Sequence, residues 1–219
     1  MKPSTRLILV RHTETIPEAA GRCYGRTDVE LSPQGVSHAT RIAEVLSDVR
    51  VAATYASPLK RSRRLAELVA RTRGHDVVTD ARLQEIDFGD FEGRLYGEIE
   101  LDAPDAYATW MATPTSLRFP GGESFADLRV RVSECVGQIV DRHRGETVVV
   151  VSHAGPLRAL LVDVLSMPDA GAFRLAQRHG SINVVDVGDG WSMLRVMNAV
   201  VGPGEAGAVR AAIGLEEWG

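Results

Sequence analysis

The chain of 219 residues has only two cysteines, Cys23 and Cys135, far apart and without CxxC spacing. That is too few for a disulfide framework and the wrong pattern for a zinc site, so a reduced, cytoplasmic setting is expected. No spaced His/Cys/Asp cluster of metal-ligand type occurs elsewhere. A surplus of basic residues is also missing. The formal net charge is -4, whereas phosphate backbones are held by an excess of Lys and Arg, which excludes general nucleic-acid binding but leaves room for a local basic pocket. No apolar run approaches membrane-spanning length. The run before Arg11, Leu7-Ile8-Leu9-Val10, is too short for a signal peptide. Neither an internal repeat nor a linker divides the chain. Residues 1–200 read as one domain and 201–219 as a Gly-rich tail, with a short helix expected at 206–213.

What the sequence does have is alternation of short apolar runs with helical patterns. Residues 5–10 read as a buried strand. Ser32-Pro33 is a helix start, with Ser as N-cap and Pro at the first helical position, and Val36, Ala39, Ile42, Ala43 and Leu46 follow at helical spacing. A strand is expected over 51–56. Ser57-Pro58 then repeats the capped start, and Leu59, Ala66, Val69 and Ala70 face a core. Val77-Val78 is a weaker strand candidate, and 83–93 reads as loop. One helix is expected over 98–112, and a long amphipathic one runs through Phe125, Leu128, Val132, Val136 and Ile139. A Val148–Val151 strand precedes a helix over 156–165 and a second near 169–177. Residues 182–187 and 192–196 form a hairpin around Gly188-Asp189-Gly190. The pattern predicts an α/β fold: a three-layer α/β/α sandwich whose central sheet is mostly parallel, with helices on both faces and an antiparallel edge from the hairpin.

Two strands end on histidine. The first runs into Arg11-His12, and the late one into Ser152-His153-Ala154-Gly155. Open α/β sheets keep ligands at the carboxyl edge of their strands, so neighbouring strands would bring the two imidazoles into one crevice. A neutral imidazole nitrogen attacks phosphorus and is later displaced by water, which makes His12 a candidate nucleophile; a structural histidine or a metal ligand is the plain alternative. Arg11 adds a donor fork matched to phosphate oxygens. His153 is placed to neutralise charge developing on a phosphoryl oxygen, and Gly155 permits close backbone approach. Arg61 falls in the first turn of a helix, where anions are favoured. It also belongs to a basic run with Lys60, Arg63 and Arg64, a pattern that equally describes a solvated helix face. A proton donor is needed for an alkyl leaving group. Glu85 is the natural candidate, because Leu83, Ile86, Phe88 and Phe91 would desolvate it and raise its pKa; spacing does not choose between it and Asp87, Asp90 or Glu92.

These residues carry a resemblance. Leu9-Val10-Arg11-His12-Thr13-Glu14-Thr15, Ser57-Pro58-Leu59-Lys60-Arg61, Leu83-Gln84-Glu85 with Gly89-Asp90-Phe91-Glu92-Gly93, and Ser152-His153-Ala154 are similar, in order, to the four motifs of the histidine phosphatase superfamily, which includes cofactor-dependent phosphoglycerate mutases. The resemblance implies a phosphohistidine on His12, phosphate held by Arg11, Arg61 and His153, Glu85 as general acid, and neither metal nor cofactor. The chain departs from the family at Thr13, where Gly is usual, and at Leu65, where Thr is common. Gly21-Arg22-Cys23-Tyr24-Gly25-Arg26-Thr27-Asp28 resembles the α-ribazole phosphatase branch of cobalamin biosynthesis, which implies that Tyr24 and Gly25 contact substrate. Mutases of the family carry a longer segment between the general acid and the second histidine, with basic residues for the substrate's carboxylate; here that segment holds Arg94 and Arg118 among its arginines but no paired arginines. The expectation is a metal-independent phosphomonoesterase, with α-ribazole-5'-phosphate as the favoured substrate. The alternatives are a phosphatase of phosphoglycerate-type compounds or phosphoserine, a phosphoglycerate mutase, and a phosphoprotein phosphatase. The expected partners are a small phosphorylated metabolite and a second copy in a homodimer, with neither nucleic acid nor a membrane.

Overall fold

The computed structural model describes residues 3–202 together with Val209, Arg210 and Ile213. A six-stranded sheet runs through the middle of the molecule. Its strands are β1 (Thr5–Arg11), β2 (Ala53–Ala56), β3 (Val77–Thr79), β4 (Thr147–Ser152), β5 (Ser181–Gly188) and β6 (Trp191–Val200), in the order β3-β2-β4-β1-β5-β6. The first four in that order are parallel, and the β5–β6 hairpin adds the antiparallel edge. This is the mostly parallel α/β sheet that the alternating pattern predicts.

Both faces of the central strands are buried. Leu7, Leu9, Val148 and Val150 pack toward α5 (Phe125–Arg142) and α6 (Ala154–Val164), while Ile8, Val10, Val149 and Val151 pack toward α1 (Pro33–Leu46) and α2 (Lys60–Arg71). Alternate residues serve opposite cores, so these strands read as unbroken apolar runs. Val201, Val209 and Ile213 are buried in the α1/α2 core. The rest of the helix expected at 206–213 lies outside the described residues. No helix among the described residues is long and apolar enough to cross a membrane.

Several boundaries depart from expectation for local reasons. Ser32 caps α1, accepting from Gly35 N at 2.9 Å. Ser57 does not cap α2, which starts only at Lys60; its hydroxyl instead receives the Leu59 amide and faces His153. The helix expected over 98–112 is two, α3 (Tyr96–Asp102) and α4 (Pro104–Ala112), because Pro104 pushes Ala103 out of helical geometry. The loop at 83–93 contains short 3-10 turns, and the helix expected near 169–177 is a 3-10 segment, Asp169–Arg174. Helix α6 begins at Ala154, directly after His153, which leaves its first-turn amides free for partners outside the helix.

Candidate active site

Register places the two histidines side by side. Arg11 of β1 pairs with Ser152 of β4, so His12 and His153 are the next residues on adjacent parallel strands. Their ring centroids lie 5.1 Å apart. Ser57 follows β2 at the same edge and donates its amide to Val151 O. The carboxyl edge thus presents Ser57, His153 and His12 in a row.

Each imidazole has its tautomer set by a partner. His12 Nδ1 lies 2.8 Å from Thr13 O, so it must carry the proton, and Nε2 keeps its lone pair. His153 Nδ1 accepts from Arg61 Nε at 3.2 Å, and its Nε2–H donates to Ser57 Oγ at 2.8 Å. Burial, reinforced by the arginines, holds both histidines well below the usual imidazole pKa. Neutral His12 thus keeps an available ring nitrogen, as a nucleophile requires.

The cations are held from behind. Arg61 is fully buried, unlike its neighbours Lys60, Arg63 and Arg64, so the solvated-face alternative does not apply to it. Its Nη1 donates to Thr27 O at 2.8 Å and its Nη2 to Gly25 O at 2.5 Å. Tyr24 packs its ring 5.3 Å from the guanidinium carbon and lines the cavity. Gly25 stands behind Arg61, with its amide donated to Glu92; a Cβ there would meet Ile86 O at 1.9 Å. Arg11 donates to Gln177 O and to His179 Nε2 at 2.9 Å, and its buried Nε–H has no acceptor.

Glu85 reaches the same cavity and accepts from Ile86 N and Gly155 N, both at 3.0 Å. A Cβ on Gly155 would sit 2.2 Å from Glu85 Oε1, so the glycine is needed for this approach. The competing carboxylates are engaged elsewhere. Asp87 pairs with Arg26 and takes Gly89 N, and Asp90 is exposed. Glu92 accepts the amides of Gly25, Arg26, Thr27 and Phe88 and the Thr27 hydroxyl. Glu85 is the only carboxylate among the described residues that line the cavity.

The cavity, of about 250 Å³, is walled beyond the cations by aromatic side chains from the segment carrying α3 and α4, among them Phe88, Tyr96, Trp110 and Phe119. Phe119 meets Phe88 and Trp110 edge to face, with centroids 4.8 and 5.1 Å apart. Thr13 and Leu65 do not line it. The Thr13 hydroxyl donates to Gly35 O, Thr13 keeps a negative φ, and Leu65 fills the α1/α2 core.

The residues of the four motifs therefore converge. A family model described as the histidine phosphatase superfamily (branch 1) matches residues 7–200. The chain belongs to the histidine phosphatase superfamily. Among curated relatives, phosphoserine phosphatase 1 of Hydrogenobacter thermophilus is 32% identical over 200 residues, covering 91% of this chain and 95% of that protein. Among solved structures, YhfR of Bacillus stearothermophilus superposes with a TM-score of 0.85 at 33% identity, covering 90% of this chain and 98% of that one. The α-ribazole phosphatase from Shigella flexneri does so with a TM-score of 0.81 at 27% identity, covering 90% and 98%. This histidine phosphatase is a phosphoric monoester hydrolase.

Five residues that sequence reasoning did not single out complete the site. His179 lies beside His12, ring centroids 5.3 Å apart, and accepts from Arg11; burial, then the Arg11 charge, hold it down at about 4. Gln177 O takes another Arg11 donor, and Gly180 N donates to His12 O at 3.0 Å, so residues 177–180 clamp the end of β1. Arg131 of α5 donates to the carbonyls of Arg82, Gln84 and Glu85 and pairs with Glu123, fixing the loop that presents Glu85. Arg158 of α6 lines the cavity. None of these lies in a motif; only burial and long-range contact distinguish them.

Proposed function

We propose that this phosphatase hydrolyses small phosphomonoesters through a phosphohistidine on His12, without a metal. The observation that carries the reading is the convergence of a neutral, Nδ1-protonated His12 with Arg11, Arg61, His153 and a single carboxylate, Glu85, around one cavity. The ester phosphate lies against the guanidinium groups, where the unpaired Arg11 Nε–H gains an acceptor. His12 Nε2 attacks phosphorus in line. Negative charge on the equatorial oxygens is met by Arg11, Arg61 and His153. For His153 to donate from Nδ1 it must take up a proton there and release its bond to Arg61 Nε; a dianion in the pocket favours that change. Glu85 in its acid form protonates the departing alkoxide. The resulting carboxylate then takes a proton from water as the water displaces the phosphoryl group from His12, which restores the resting enzyme.

The leaving group has two candidate classes. The similarity of Gly21–Asp28 to the α-ribazole branch and the aromatic cavity wall favour a flat, ring-bearing ester such as α-ribazole-5'-phosphate. The basic residues left over in the cavity favour a small acidic ester of the phosphoserine or phosphoglycerate kind.

Hydrolysis of p-nitrophenyl phosphate should survive EDTA unchanged; loss with recovery on Mg²⁺ would contradict the mechanism. Glu85→Gln should slow pre-steady-state phosphorylation by an alkyl phosphate about 100-fold or more, and by p-nitrophenyl phosphate much less, because a good leaving group needs little protonation. Equal losses would make Glu85 a positioning residue.

A further inference from the structure

The cavity holds more positive charge than a phosphoryl group needs. Arg11 and Arg61 are committed through their backbone and imidazole partners to the place where the phosphate sits. Two further guanidinium groups line the same cavity, Arg22, which is exposed and donates to Gly93 O at 2.8 Å, and the half-buried Arg158. Arg158 lies on the first turns of α6, on the same short stretch as His153 and Gly155. Its Nε–H donates to Leu175 O at 3.0 Å, and its guanidinium carbon lies 5.0 Å from the centre of the Phe173 ring. That fixes the plane of the group and leaves its outer pair of nitrogens without a protein acceptor among the described residues. No carboxylate among those residues pairs with it, in contrast to Arg129 and Arg131 nearby on α5. Burial depresses its pKa, and it feels the charges of Glu85 and Arg11, so it stands within electrostatic reach of the reacting groups. A half-buried, oriented and unpaired cation is costly to keep unless a ligand anion meets it.

We propose that Arg158 receives a carboxylate of the substrate, so that the preferred esters are small phosphomonoesters carrying a carboxylate a few bonds from the phosphate. This rests on the phosphatase reading above and selects between its two leaving-group classes. Two free parallel N–H groups match the two oxygens of a planar carboxylate. The cavity volume of about 250 Å³ suits a compact ester.

The test compares kcat/KM within two matched pairs, L-phosphoserine against O-phosphoethanolamine and 3-phosphoglycerate against glycerol 3-phosphate, with p-nitrophenyl phosphate and α-ribazole-5'-phosphate alongside. The wild-type enzyme should favour the carboxylate member of at least one pair by about tenfold or more, the usual worth of a charge-assisted bidentate contact. Arg158→Gln should collapse that ratio, chiefly through KM of the acidic ester, and Arg158→Lys should restore only part of it. The proposal is overturned by a wild-type ratio near one, a ratio that survives in Arg158→Gln, an equal loss on all esters, or α-ribazole-5'-phosphate as the best substrate. The wild-type ratio is readable even if the variants fold poorly. If p-nitrophenyl phosphate and every other ester go unhydrolysed, it is the phosphatase reading that fails.

Discussion

His12 and His153 are buried and His179 is half-buried, all three gain arginine neighbours, and in each case burial is the larger cause of the lowered pKa. All three are neutral in the folded protein near neutral pH, while the unfolded chain titrates near about 6.5. Above that pH both states are unprotonated and these groups contribute no pH dependence. As pH falls below it, the unfolded chain takes up protons that the folded chain refuses, so stability drops. For His179 the loss ends near pH 4, where the folded ring also protonates. The urea midpoint should therefore fall from pH 7 toward 4.5, and more gently in His179→Gln, which has one fewer such group; identical slopes would show that His179 is not held neutral. The same residue positions Arg11. Because Gln offers an acceptor at similar reach and Leu does not, His179→Leu should raise KM for p-nitrophenyl phosphate by about tenfold, the worth of one charge-assisted bond, while His179→Gln stays close to wild type. Equal KM changes in both variants would mean that the ring acts by volume alone.

Among the elements, the loop at 24–27 and the start of α6 bear most directly on the chemistry. Glu92 gathers four amides and one hydroxyl, and that gathering orients the carbonyls of Gly25 and Thr27 toward Arg61. Glu92→Gln puts an NH2 where an acceptor oxygen stood and leaves amides unmatched, at a cost of about 1–3 kcal/mol in stability. Activity should fall by a similar factor on good and poor leaving groups, since in the proposed mechanism Arg61 serves the phosphoryl group common to both. A loss confined to poor leaving groups would instead make Glu92 part of the acid machinery. Gly155→Ala separates activity from stability in the other direction. Alanine is favoured in a helix by about 1 kcal/mol over glycine, which offsets part of the collision with Glu85, so the melting temperature should change little. The displaced carboxyl should nevertheless slow alkyl phosphate hydrolysis far more than hydrolysis of p-nitrophenyl phosphate. Full activity on both would mean that the Gly155–Glu85 contact is dispensable.

At the scale of the whole molecule, the parallel arrangement of β2, β4 and β1 makes the site, because it brings Ser57, His153 and His12 to one edge. That much was legible, since runs such as Val148–Val151 announce strands and each histidine directly follows one. Arg61 was half legible: its place in the first turn followed from Ser57-Pro58, but only tertiary burial separates it from Lys60, Arg63 and Arg64. The choice of Glu85 over Asp87, Asp90 and Glu92 needed the partners of all four. His179 and Arg158 were not legible. The first lies in the polar stretch just before β5, and the second on a mostly apolar helix where a long cation reads as a solvated tip. Their meaning comes from contacts such as His179 with Arg11, 168 positions apart in sequence, and no local pattern encodes those. The helix break at Pro104 was missed, although the residue type carries it; the burial of Val209 and Ile213 was not legible, because a Gly-rich composition masks two isolated apolar contacts.

All of this converges on one covalent event. The enzyme should be mixed with a ³²P-labelled phosphomonoester, quenched within milliseconds under alkaline conditions that preserve phosphoramidates, and mapped by peptide. Acid-labile, base-stable label is expected on the peptide holding Arg11 and His12, and none in His12→Ala. Label on His153, His179 or a hydroxyl or carboxyl residue, or full turnover in His12→Ala, would contradict a phosphohistidine on His12.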